Sequence, residues 1–432
     1  MEFGDELRRR RVKAGLSLRD LARLVHYSRG YLSKVETGQA IASIELARLC
    51  DSALGSGGAL TGIAASAHDR RPAVGGRRKG GPVVSSDPDA RRRPVPLVRE
   101  DLLSAGMPVI SIAIPSPARI SSSQAESATT AFTALFGQLR QLGQCVFPGA
   151  LLPTLIAQTE TLRGLAASAR DPARTILLGL AARYAEYTGW TAQEIGDDHA
   201  ALWWTDEAVR LADAAGQPEM GAYALVRRAL VGMYRGDAAE TIDLARMARS
   251  DPRASERVRG LAALREAQGY ALMADDIACQ NALERGREHL ARAEDDPATA
   301  MLGTSTVADP AAMVTGWCLH DLGRPADAGA VFDREIAQLP ATAQKARTRF
   351  AARRALAYAA AGEVDHACGL TRELLGDAQE LSSATIRLDL VRLARALNRW
   401  PTHGSVRSLQ PELTRALRPL TRQFAEDWSV RG

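Results

Sequence analysis

Cysteine is scarce and poorly placed for a structural role: the five (Cys50, Cys145, Cys279, Cys318 and Cys368) are odd in number, far apart, and include no Cys-x-x-Cys pair. That excludes a disulfide framework and a structural zinc site, and leaves small, buried, inert thiols as the expectation. Long apolar runs are missing as well. None approaches the ~18–20 residues that span a bilayer, so no membrane partner is expected. The first residues, Met1 to Lys13, are charged and carry no apolar export segment, which points to the cytoplasm. The signatures of catalysis are absent too: there is no G-x-x-x-x-G-K-[ST] phosphate loop, no G-x-S-x-G elbow and no H-E-x-x-H helix. Gly55-Ser-Gly-Gly58 does not complete a G-x-G-x-x-G pattern, since Leu60 stands at the last glycine's place, and it lacks a preceding strand, so it reads as a loop. Cys318-x-His320 and His366-x-Cys368 look like ligand pairs, yet residues two apart on a helix point ~200° apart. Neither an enzyme nor a cofactor nor a metal is expected. Lysine is nearly missing, at four residues (Lys13, Lys34, Lys79 and Lys345) among 55 basic ones. Arginine abundance on that scale fits a codon bias, so the location of charge informs and its amount does not.

What is present is a chain of 432 residues, 46% hydrophobic and 24% charged, too long for one core. Its net charge of +5 is unevenly spread. Residues 1–67 carry +3, residues 68–99 carry +6 and residues 100–432 carry −4. The positive field sits in the first quarter of the chain, where attraction to phosphate would be useful.

Residues 5–67 read as five short helices. The first runs from Asp5 to Ala14 with Leu7 and Val12 expected inward, and Gly15 ends it. Ser17 caps the second, with Asp20 at the capping-box position, and Leu18, Leu21, Ala22 and Val25 form its apolar stripe. After His26–Tyr27, Ser28 caps a third helix carrying Tyr31, Leu32 and Val35, closed by Gly38. Ser43 opens a fourth, Ile44 to Leu54, and Gly55 to Gly58 separate it from a fifth.

The run Gly15-Leu-Ser-Leu-Arg-Asp-Leu-Ala22, followed by Ser28-Arg-Gly-Tyr-Leu-Ser-Lys-Val-Glu-Thr-Gly38, resembles the Cro/C1-type, lambda-repressor-like (XRE) helix-turn-helix family over about residues 3–67. The resemblance implies a five-helix DNA-binding domain whose third helix enters the major groove of double-stranded DNA. It places Arg29, Gly30 and Lys34 at base edges. Arg29 would pair with guanine in bidentate fashion, and Lys34 would reach another base or a phosphate. Ser17, Arg19, Ser28, Tyr31 and Gln39 fall where the family touches the DNA backbone. Arg11 and Glu36 fall where relatives hold an ion pair between helices one and three. Three departures stand out. His26 replaces a common turn glycine, Ala42 replaces a common proline, and Gly30 offers no side chain to a base at a cost of ~1 kcal/mol of helix propensity.

Residues 68–99 are rich in Arg, Pro and Gly and read as a flexible basic linker, either a solvated tether or a segment that tracks phosphates. The short apolar run at 107–123 is left unassigned, so the linker region is taken as 68–125. From 126 to 432 the chain is Ala/Leu/Arg-rich helix, and it repeats. Turns at Gly196-Asp197, Gly236-Asp237, Ala274-Asp275, Gly323-Arg324 and Gly362-Glu363 are spaced by 40, 38, 49 and 39 residues. Small residues recur seven positions before them (Gly189, Ala229, Ala267, Gly316, Ala355) and five after (Ala201, Cys279, Ala328, Ala367). This resembles degenerate tetratricopeptide-type repeats, which implies an α-solenoid. Phe332 and Pro340 also match that pattern. Tyr184, Tyr187, Trp190, Trp203 and Trp204 cluster in the first clear repeat, with Trp317 and Tyr358 later. They read either as core or as an effector surface for a peptide, a protein or a small molecule.

The expectation is therefore an all-α, nucleoid-associated cytoplasmic regulator, a homodimer with a DNA-binding head and a helical-repeat body. A different reading remains open, in which the repeats form a protein-interaction scaffold and the head anchors to DNA only weakly.

Overall fold

The computed structural model describes residues 3–25, 27, 29–40, 42, 44–69, 119–293, 302–303 and 306–417. Among them every regular element is an α-helix. The basic segment 70–118, including the linker arginines, lies outside the described residues, as do His26, Ser28 and Ser43.

Five helices make the head: α1 (Phe3–Lys13), α2 (Leu18–Leu24), α3 (Arg29–Glu36), α4 (Ile44–Leu54) and α5 (Ala59–Asp69). Their apolar stripes converge on Leu7, Leu21, Val25, Leu32, Leu46 and Leu60, all fully buried. Each contributes ~1.5–3 kcal/mol of burial. Ser17 and Asp20 form a complete capping box at the start of α2. Gly4 on α1 touches the end of α3 so closely that an added Cβ would collide with the Val35 carbonyl and stand 2.8 Å from that of Glu36. Asp51 is buried and fixes the start of α5, accepting from the Leu60 and Thr61 amides at 3.0 and 2.8 Å and from the Ser56 and Thr61 hydroxyls. A carboxylate at a helix N-terminus satisfies donors that have no partner within the helix.

The body follows as α6 (Ser122–Leu142), α7 (Pro148–Ser168), α8 (Ala173–Glu194), α9 (Asp198–Ala214), α10 (Glu219–Arg235), α11 (Ala238–Ser250), α12 (Glu256–Leu272) and α13 (Asp276–Ala293), then α14 (Pro310–Asp321), α15 (Pro325–Ala337), α16 (Gln344–Ala361), α17 (Val364–Leu381), α18 (Ala384–Leu397) and α19 (Gly404–Ala416). Each of the five turns read from the sequence joins the two helices of a hairpin. The joints are α8/α9, α10/α11, α12/α13, α14/α15 and α16/α17.

At every joint one residue is left-handed: Gly196, Gly236, Gly323 and Gly362 at φ +80° to +88°, and Ala274 at +58°. Glycine is the cheap solution there, and Ala274 holds the same turn at the expense of steric strain. The small residues flanking the joints sit where paired helices touch. A Cβ on Gly189 would stand 3.0 Å from the Ala201 carbonyl, and one on Gly316 would stand 3.1 Å from Phe332. Consecutive hairpins stack into a solenoid, which curls until its separated parts meet. The Glu194 carboxylate at the end of α8 accepts from the Ser383 and Thr385 hydroxyls at 2.5 and 2.9 Å, and the Lys345 amide donates to the Gln144 carbonyl at 2.9 Å.

Three expectations change. Val12 is 62% exposed, because it lies five residues from Leu7 and hence ~140° around the helix. Cys145 is exposed, whereas the other four thiols are buried. The helical body begins ahead of residue 126. Ser121 and Gln124 cap α6 reciprocally, and Ala125 is already buried in the body's core.

Candidate nucleic-acid interface and the central cavity

The frame that presents α3 is both apolar and ionic. Leu32 and Val35 turn inward, while an Arg11–Glu36 pair locks α1 to α3. The guanidinium donates to Glu36 through Nε at 2.6 Å and through a terminal nitrogen at 2.8 Å, and to the Leu16 carbonyl at 2.9 Å. One side chain thereby ties α1, the α1–α2 turn and α3 together. The Glu36 hydrogen bonds hold the Arg11 pKa above its ordinary value.

With that frame in place, Arg29 and Lys34 on α3, Ser17 and Arg19 at the start of α2, and Gln39 after α3 are all exposed. Gly30 lies within α3. Tyr31 is half-buried and stacks on Tyr27 at 5.6 Å, so its ring belongs as much to the head's packing as to its surface. Ser28 falls outside the described residues.

The head touches the body through other elements. Arg48 on α4 donates to Asp321 at 3.0 Å and to the Leu272 carbonyl at 3.3 Å. Gly58 fits against the Met273–Ala274 turn, where a Cβ would collide with the Met273 carbonyl. Gly323 packs against Ser52 and the Arg48 carbonyl. The Arg399 guanidinium stands 4.9 Å over the Tyr27 ring. The body thus holds α4 and the α4–α5 loop and touches the head beside α3, while Ser17, Arg19, Arg29, Lys34 and Gln39 remain exposed.

Inside the curl of the body lies a cavity of about 1180 Å³. Its wall comes from α6, from the inner faces of α8, α10, α12, α14 and α16, and from the neighbouring loops. The aromatic cluster read from the sequence divides here. Tyr187 and Trp190 line the cavity, stacked at 5.5 Å, and Trp317 joins them from α14. Tyr184 and Trp204 are core, at 0% and 1% exposure, and Trp203 packs against that core from its edge. Tyr184 and Trp204 are therefore no part of an effector surface, and half-buried Trp203 does not line the cavity. Trp204 faces the paired helix of its hairpin, as its contact with Gly189 shows.

Arg227, Arg265, Lys345 and Arg349 also line the cavity, and the sequence pattern did not single them out. Burial, then the neighbouring Arg349, push the Arg265 pKa down to about 10. Burial lowers that of Lys345 as well. Among the described residues no group of three or more His, Cys, Asp or Glu side chains is placed to hold a metal ion. No helix among them is long and apolar enough to cross a membrane.

Residues 2–62 match the family model of a helix-turn-helix domain, over the same five-helix unit that carries Arg29 and Lys34. The head is a helix-turn-helix DNA-binding domain. No curated protein and no solved structure matches the chain.

Proposed function

We propose that the chain is a sequence-specific, Cro/C1-type transcriptional regulator of the cytoplasm, dimeric, with a tetratricopeptide-like body that receives an effector and sets the spacing of two heads. The observation that carries this reading is the division of labour within α3: its apolar side and Glu36 are spent on the head's own frame, while Arg29 and Lys34 stay exposed. A helix held from behind and charged in front is what major-groove reading needs. Arg29 supplies base recognition at the helix start. Lys34, five residues on and ~140° around the helix, reaches a second base or a phosphate. Ser17, Arg19, Tyr31 and Gln39 serve the backbone. Two symmetric heads would read half-sites about one helical turn apart, ~34 Å.

The test is a salt titration with a duplex selected from genomic fragments against a random duplex. A specific regulator keeps a ratio of ~10³ or more at physiological salt. Collapse of that ratio would leave a scaffold whose head is only an electrostatic anchor.

A further inference from the structure

We infer that the central cavity of the body binds a small organic anion with an apolar or aromatic portion, held by Arg265, Arg349 and Lys345 against Tyr187, Trp190 and Trp317. The argument begins with how this fold treats other buried charges. Arg353, 1% exposed, lies 2.7 Å from Asp389. Arg48 has Asp321, Arg11 has Glu36, and Glu266 is surrounded by Arg246, Arg249 and Arg285. Burying a charge is costly unless an opposite one comes with it, and at these places the chain supplies one.

The cavity departs from that habit. Among the described residues Arg265, Arg349 and Lys345 have no carboxylate within salt-bridge distance. Arg265 donates to the Gln268 side-chain oxygen, and Arg349 to the Tyr234 hydroxyl. The Lys345 ammonium, on a side chain 3% exposed, has no hydrogen-bond partner and sits 4.9 Å over the Trp190 ring. The two carboxylates of the wall are engaged elsewhere. Glu194 accepts from Ser383 and Thr385, and Glu186 from Tyr223 with Arg227 3.8 Å away. Three cations thus converge on one space with no acid at salt-bridge distance, Glu194 acting on Lys345 and Arg349 only from farther off; burial lowers the basicity of Arg265 and Lys345, and at Arg265 the neighbouring Arg349 lowers it further.

An anion entering the cavity would supply the missing charge to cations that are themselves buried, where charge-assisted hydrogen bonds to guanidinium and ammonium are strong. The aromatic walls fix the rest of its chemistry. Tyr187 and Trp190 lie parallel at 5.5 Å, and Trp317 faces Arg349 at 5.6 Å, so a flat or apolar body has surfaces to lie on. That such binding regulates anything rests on the function proposed above; the binding itself does not.

The experiment uses the full chain and two probes of nearly the same shape, 8-anilinonaphthalene-1-sulfonate and its uncharged counterpart N-phenyl-1-naphthylamine, each titrated by fluorescence. The sulfonate is expected to bind one per chain and at least tenfold more tightly than the uncharged probe. Arg265→Met and Lys345→Met should each reduce sulfonate affinity at least tenfold and leave the uncharged probe unchanged. Because these cations lack acidic partners, both variants should melt at or above the temperature of the unaltered protein, the signature of a residue kept for ligand and not for fold. Equal affinity of the two probes for the unaltered protein would overturn the proposal without any variant being made. So would undiminished sulfonate binding in both variants. Duplex binding measured on the same samples keeps the readings apart: loss of one with retention of the other condemns only that one.

Discussion

The Arg11–Glu36 pair offers a direct measure of how firmly α3 is held. Arg11 and Glu36 are 12% and 7% exposed, and three hydrogen bonds leave the guanidinium. Arg11→Ala leaves the Glu36 carboxylate in a desolvated spot without its partner and frees the Leu16 carbonyl. Breaking a fully buried pair costs ~3–5 kcal/mol, and the residual exposure here brings the expectation down to about 2 kcal/mol. That corresponds to roughly a thirtyfold increase in local opening. Trp is absent from residues 1–67, so whole-protein fluorescence is a poor reporter of the head. Amide hydrogen exchange resolved to α1 and α3 within the full chain is the right assay. It should be run on Arg11→Ala, Glu36→Ala and the double variant, because the pair's own contribution is the coupling between the single changes. A coupling of about 2 kcal/mol agrees with the geometry. A coupling under ~0.5 kcal/mol, the worth of an exposed pair, would show that solvent reaches these groups and that the apolar contacts alone hold α3.

Three further outcomes follow from the same geometry. Arg29→Ala should lower affinity for the selected duplex by ~1–3 kcal/mol and relax base preference at one position, whereas Arg19→Ala should weaken all duplexes alike and flatten the salt dependence; like behaviour of the two variants would reverse the assignment. Gly4→Ala gains ~1 kcal/mol of helix propensity, yet its Cβ meets two backbone carbonyls that cannot rotate away, so the head should lose ~1–3 kcal/mol on balance, read as faster exchange in α1 and α3. Hydrogen bonds first from Arg9 and then from Arg10 hold the Glu6 carboxyl at about 2 against an ordinary 4.5. The folded head therefore binds that proton less readily than the unfolded chain, so the stabilisation is complete above about 4.5 and is lost as the pH falls toward 2. Exchange in α1, corrected for its intrinsic pH dependence, should rise through that window, and rise less in Glu6→Gln, where only other head carboxyls such as Asp20, itself held below its ordinary value by Ser17, still titrate.

How much of this was legible in the sequence depends on how far apart the interacting residues lie along it. The head's helices could be read because their signals are local: Ser17 and Asp20 are three residues apart and cap one helix end between them. The hairpins of the body were legible because a left-handed turn recurs at nearly constant spacing with small residues on both sides. Val12 was misread because apolar character was taken for direction, although five residues of helix rotate it away from Leu7. Gly4 gave no signal at all, since its role depends on a carbonyl more than thirty residues away. The aromatics near residue 190 were found as a cluster, yet neighbours in sequence on a helix point to different sides. Only the structure separates Tyr187 and Trp190, on the cavity wall, from Tyr184 and Trp204 in the core.

The cavity and the head's seat on the body were invisible for the same reason, since each is assembled from hairpins far apart in the chain, and they turn out to share their supports. Arg48 reaches the Leu272 carbonyl at the end of α12 and Asp321 at the end of α14. Along those helices lie Arg265 and Gln268 on one and Trp317 on the other, all facing the cavity. Arg265 is seven residues from Leu272, ~10 Å along a stiff rod, and Trp317 is four from Asp321. The same two helices thus carry both the cavity wall and the Arg48 contact. Asp321 is 5% exposed and Arg48 is its direct partner at 3.0 Å, while Arg353 and Arg392 attract it from farther off and its neighbour His320 is kept neutral by burial, with a pKa of about 3. Moving the guanidinium away strips a buried carboxylate of its nearest partner, so losing this one contact is costly to the head's seat on the body.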